Sequence, residues 1–95
     1  MGWVAQAELW AWREDRPDAW VFLTLPAEMG EDVRDLAGPR TGFGSVPVVV
    51  TIGATTWRTS VFPSAEGYAL PLKRAVRRAE GLEVGDVVTV EVELA

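Results

Sequence analysis

Trp20-Val-Phe-Leu-Thr-Leu25-Pro26 and Gly67-Tyr-Ala-Leu70-Pro71 share one form: an apolar, strand-like run that ends in Leu-Pro. An amphipathic stretch follows each. Proline suits the first turn of a helix, because its missing N–H would have no partner there and its φ is already near helical. A Val-Arg pair follows each proline, at Val33-Arg34 and Val76-Arg77, and a glycine closes each segment, at Gly38 and Gly81. The prolines stand 45 positions apart, which predicts one unit present twice, about residues 3–52 and 55–94.

Working outward, residues 3–13 read as a strand with Val4, Gln6, Glu8, Trp10 and Trp12 on one face. Trp3, Ala5, Ala7, Leu9 and Ala11 lie on the other, and the alternation leaves open which face is buried. Glu14-Asp-Arg-Pro-Asp18 carries turn formers and joins this strand to the next, at 20–25, as an antiparallel hairpin. Both faces of that second strand are largely apolar, as in a closed barrel or covered sheet. A first helix is predicted over Ala27–Ala37, with Met29, Val33, Leu36 and Ala37 on one face. Residues 38–45 read as a loop.

Val46 to Ile52 follows as a strand with Val46, Val48, Val50 and Ile52 on one side. Pro47 cannot donate to a ladder, so the strand's start is expected at an edge or a bulge. Gly53-Ala54 has the form of a two-residue type II′ turn into a strand at Thr55–Phe62, and 63–67 reads as another turn. A second helix, about Leu72 to Glu80, would turn Leu72, Ala75, Val76 and Ala79 inward, with Gly81 as its cap. The last strand alternates Val88, Val90, Val92 and Leu94 with polar residues. The order is ββαβ twice. It predicts one mainly β domain over residues 1–95, with two short helices: a small barrel related to itself by a pseudo-twofold axis.

The composition narrows the chemistry. The 95 residues contain no cysteine and no histidine, which removes thiolate nucleophiles, the commonest general base and the commonest metal ligand. Zinc sites and Ser-His or Cys-His hydrolysis are excluded in their usual forms. No catalytic residue, metal or cofactor is expected, and the chain reads as not an enzyme. No apolar run reaches the roughly 18–20 residues of a membrane span, and the start lacks a signal-peptide layout. A cytoplasmic monomer is the expectation. The net charge of −5 makes nucleic acid and anionic membrane poor partners.

That charge is uneven. Glu28, Glu31, Asp32 and Asp35 against Arg34 give the first helix a local −3, whereas Lys73, Arg74, Arg77 and Arg78 against Glu80 give the second +3.

Leu70-Pro71, a basic helix, Gly81-Leu-Glu-Val-Gly85-Asp86 and a valine strand together resemble the swapped-hairpin barrel of AbrB/MazE-like regulators and antitoxins. Those proteins build the barrel from two chains, so the resemblance implies a double-split β-barrel completed within one. Over nearly its whole length the chain is similar to the bacterial domain-of-unknown-function family nineteen-oh-five. The similarity lies in Ala7-Glu-Leu-Trp10, Ala19-Trp-Val-Phe22, Leu25-Pro26, Gly42-Phe-Gly-Ser-Val46, Thr56-Trp-Arg-Thr-Ser60 and Tyr68-Ala-Leu-Pro71. Members occur alone or joined to a bacteriocin-protection domain. The resemblance implies a fold and no activity.

Two short stretches are candidate binding surfaces. Lys73, Arg74, Arg77 and Arg78 have helical spacing and suit a phosphate, nucleic acid or an acidic partner; as a solvated helix face they need no ligand. In Trp57-Arg58-Thr59-Ser60, Arg58 and Ser60 point one way and Trp57 and Thr59 the other. Arg58 suits a carboxylate or phosphate, while Trp57 either supplies an aromatic wall or packs in the core. Gly42-Phe-Gly-Ser45 precedes a strand rather than a helix, so it is not a phosphate loop. Of the five tryptophans, most are expected to be structural, with one or two of Trp10, Trp12 and Trp57 partly exposed.

The expected function is a non-catalytic module for a small anion, a peptide or a protein domain, with Trp57, Arg58, Ser60, Lys73 and Arg77 as its ligand-binding residues. The alternative is an AbrB/MazE-like nucleic-acid-binding regulator using the basic helix.

Overall fold

A computed structural model describes residues 2–13, 20–37, 44–65 and 67–95. Six strands and two helices follow in the expected order: β1 (Gly2–Ala11), β2 (Val21–Thr24), α1 (Ala27–Ala37), β3 (Val46–Ile52), β4 (Thr55–Ser64), β5 (Gly67–Pro71), α2 (Arg74–Glu80) and β6 (Val87–Leu94). The strands close into a barrel in the order β1-β2-β5-β4-β3-β6, and the ladders between them are antiparallel. Closure removes exposed sheet edges. No described helix is long and apolar enough to cross a membrane. The Glu14–Asp18 turn, Gly38 and the Gly42-Phe43 part of the glycine-rich loop lie outside the described residues.

The valine alternations turn inward. Val46, Val48, Val50, Val61, Val90 and Val92 are fully buried, together with Leu23, Leu70 and Val33. In β1 the buried side is settled as that of Leu9, with Trp3, Ala5 and Ala7 half-buried beside it; Val4, Gln6 and Glu8 face out. Pro47 does not sit on a free edge. On the last rung with β6 the Ala95 amide donates to the Pro47 carbonyl at 3.1 Å, and the return bond is the one proline cannot make.

Several expectations are corrected. Neither proline enters a helix. The Pro26 carbonyl accepts the first helical bond, from the Gly30 amide at 2.9 Å, so Pro26 caps α1 from outside. Pro71 ends β5 opposite Phe22, and the Leu72 amide extends the same ladder by donating to Val21 O at 2.9 Å. With Leu72 held there and Lys73 extended, α2 starts only at Arg74. Val76 and the preceding Leu72 are buried, but Ala75 and Ala79 face solvent. In α1 the inward stripe is Met29, Gly30, Val33 and Ala37, which leaves Leu36 53% exposed on its margin. The turn after β4 is tighter than expected, since Pro63 and Ser64 pair with Tyr68 and Gly67. At the end of α2 Gly81 is left-handed and the Leu82 amide donates to Arg77 O at 2.8 Å, the expected glycine cap.

Gly53 has φ +58, and no non-glycine residue among those described has positive φ, as a type II′ Gly-Ala turn requires. A Cβ there would also collide with the Glu80 carboxylate, which accepts from Thr55 Oγ1 at 2.7 Å and ties α2 to the start of β4. Gly53→Ala therefore strains the turn and displaces Glu80. A loss of about 2 kcal/mol is expected, read as a fall in melting temperature of roughly 4–8 °C per kcal/mol. Unchanged melting would contradict the packing of α2 on this turn.

Candidate functional site

The β4–β5 ladder is short: only Phe62, Pro63 and Ser64 pair with Ala69, Tyr68 and Gly67. Beyond it, where β5 runs on through Pro71 and β4 back toward Thr59, the start of α2 stands beside the gap. A cleft of about 240 Å³ opens there, lined by Trp20, Thr59, Pro71, Lys73, Arg74 and Arg77 among others. Three basic residues, a threonine and a tryptophan thus line one hollow. Arg77 is positioned by its own Nε, which donates to the Leu72 carbonyl at 3.1 Å.

Two of the five expected site residues, Lys73 and Arg77, line this cleft; Trp57, Arg58 and Ser60 are not part of its wall. Strand alternation explains the separation. Arg58 is exposed and Ser60 half-buried on the outer side of β4, across from Val49 and Pro47. Trp57 and Thr59 are on the inner side, and only Thr59 reaches the cleft. Trp57 is in the core at 9% exposure, and its Nε1 has no hydrogen-bond partner among the described residues.

Of the basic residues, Arg78 falls outside this cleft. With Arg74 and Arg77 it lines a second hollow of about 360 Å³ around Gly81 and Glu83. Arg74 and Arg77 border both hollows, with Lys73 on one side and Arg78 on the other.

Trp20 was expected to be structural and is instead 59% exposed. It ends a row of rings on the outer face of β1 and β2. Trp10 lies opposite Phe22 with ring centroids 5.1 Å apart, and Phe22 stacks on Trp20 at 6.3 Å and 11°. At the far end the Trp10 indole donates to Thr24 Oγ1 at 3.0 Å. Trp12, 63% exposed, continues the same side of β1, with its amide bonded to Trp20 O. The signal for this row was the i, i+2 spacing of Trp20 and Phe22, legible once their strand is known to face outward there.

The acidic residues of α1 are exposed, and Asp32 accepts from Trp3 Nε1 at 3.3 Å. No group of three or more carboxylates suited to a metal ion occurs among the described residues. No curated protein and no solved structure matches the chain. A family model does, over residues 6–92, and the chain belongs to the family described as Domain of unknown function (DUF1905).

Proposed function

We propose that this domain is a non-catalytic binding module that takes a small anion in the Trp20–Lys73 cleft. One observation carries the reading: Lys73, Arg74 and Arg77 line one concavity together with Thr59, in a chain whose net charge is −5. A locally positive hollow on an acidic protein attracts a small anion without attracting a long polyanion. Guanidinium and ammonium donors suit a phosphate or carboxylate. Isothermal calorimetry with inorganic phosphate and citrate tests it. Lys73→Ala and Arg74→Ala are each expected to weaken binding about tenfold while leaving stability within about 0.5 kcal/mol, because both residues are exposed. Absence of heat with any anion would reject the reading.

The regulator alternative is less well supported, because a net charge of −5 disfavours a long polyanion. It requires affinity for duplex DNA that falls steeply with salt, and fluorescence anisotropy at low salt decides it.

The module is further read as a double-split barrel of two ββαβ copies, distantly related to the AbrB/MazE-like barrel. The ladders support this. Exchanging β1, β2, β3 with β4, β5, β6 returns the same ring of neighbours. If Leu23 corresponds to Tyr68, as the Leu-Pro motifs require, the rung Leu9–Leu23 becomes Pro63–Tyr68. If Val92 corresponds to Val50, as the valine alternations suggest, the rung Trp3–Val92 becomes Trp57–Val50. Both assignments move β1 onto β4 by the same 54 positions, although neither uses the other's ladder.

A further inference from the structure

We propose that the ligand of this cleft is a mononucleotide, its base stacked on Trp20 and its phosphate held by Lys73 and Arg74 beside Thr59. The proposal rests on the anion-binding reading and adds the identity of the anion. Two independent features point to it.

The first is charge. Three cations and a hydroxyl around one hollow exceed what a single carboxylate needs and suit a phosphate monoester, which carries about −1.5 to −2 at neutral pH. The second is the indole. Trp20 is 59% exposed, it is the last ring of the Trp10–Phe22–Trp20 row, and it forms part of the cleft wall. A planar base placed there extends an existing stack on a ring whose orientation Phe22 already restrains. Pre-ordering of this kind lowers the entropic cost of binding. A nucleoside phosphate carries a flat base and an anion on one small molecule, as an aromatic residue and basic residues lining the same cleft require.

Size and overall charge choose the free nucleotide over a strand. At about 240 Å³ the hollow is smaller than the roughly 300–1,000 Å³ of drug-sized sites, so it holds one unit and leaves part of it in solvent. The exposed acids of α1 and of β6, where Glu91 and Glu93 face out, oppose a long polyanion running over the remaining surface.

The test is calorimetry on the intact chain with AMP, UMP, adenosine, ribose 5-phosphate, inorganic phosphate and a dT oligonucleotide. AMP or UMP should bind roughly tenfold to hundredfold more tightly than ribose 5-phosphate, the range that stacking of one base provides. Trp20→Ala should erase that advantage and leave ribose 5-phosphate unaffected; Trp20→Phe, which keeps a ring, should restore most of it. Lys73→Ala should weaken both ligands alike. Thermal melting verifies that each variant is folded, and exposure of Trp20 makes it a mild site to change.

Equal affinity for AMP, UMP and ribose 5-phosphate would overturn the nucleotide while leaving the anion site standing. Adenosine binding as tightly as AMP would overturn it as well, by removing the phosphate from recognition. An oligonucleotide binding more tightly per site than the mononucleotides would replace the free nucleotide with a single strand. No binding of any phosphate would overturn the nucleotide, and no binding of citrate either would reject the anion reading itself.

Discussion

Val90→Asp is expected to leave no folded population at 25 °C. Val90 is fully buried in the middle of β6, across from Ala5 on β1, among the inward valines of β3 and β6. The substitution forfeits about 1.5–3 kcal/mol of apolar burial. It also places a carboxylate in a core with no buried polar or charged residue among those described, at a cost of several kcal/mol even after relaxation or protonation. A domain of this size is stable by about 5–15 kcal/mol, and the lower part of that range is exhausted. Val76→Asp, on the buried side of α2, should behave the same way. Thr89→Asp is the control: one position away it faces solvent, so its stability should stay within about 0.5 kcal/mol of wild type. Circular dichroism and urea titration of the three variants decide the matter. A Val90→Asp protein melting within a few degrees of wild type would mean that β6 does not present this face to the core.

That contrast between neighbouring positions is the part of the fold most legible in sequence. Val46, Val48, Val50 and Ile52, like Val88, Val90 and Val92, alternate with less buried residues, and a period of two admits only a one-sided strand. Helix ends were less legible. A proline in the first turn of a helix and a proline just before one satisfy the same steric preference, so sequence could not separate them. The deciding event is tertiary: the Leu72 amide is taken by Val21 O, which keeps the chain extended two residues past Pro71. Gly30 was missed for a related reason. It carries no apolar side chain to count, yet it is buried because α1 approaches the Tyr68 ring there, so closely that a Cβ on this residue would lie 3.6 Å from Cδ2.

The site was half legible. Lys73 and Arg77 are conspicuous by charge alone, and both line the cleft. Their companions were not, because Thr59 and Trp20 come from strands whose rotation about the barrel sets which groups face the gap beside α2. Arg58 and Ser60 looked equivalent to Thr59 in composition, but alternation sends them to the opposite side of β4. Strand period gives which residues share a face; it does not say which face a helix will cover.

Trp57→Ala is expected to be the most damaging truncation in the core, at about 3–5 kcal/mol, because it empties the space of a buried indole. Trp57→Phe should cost far less, about 1 kcal/mol, although it too removes ring area. The buried Nε1 finds no acceptor among the described residues, and an unpaired buried donor costs about 1–3 kcal/mol. Phenylalanine relieves that cost and so offsets its lost contacts. Trp3, which the proposed duplication places at the matching position in β1, supplies the comparison. Its indole already donates to the exposed Asp32 carboxylate at 3.3 Å, so Trp3→Phe relieves nothing and loses a bond made in solvent. The difference between phenylalanine and alanine should accordingly be large at position 57 and small at position 3, where the ring is only half-buried. If Trp57→Phe proves as harmful as Trp57→Ala in urea titration, the Nε1 proton has a partner in solution. An internal water bonded to that nitrogen would then belong to the core of the barrel.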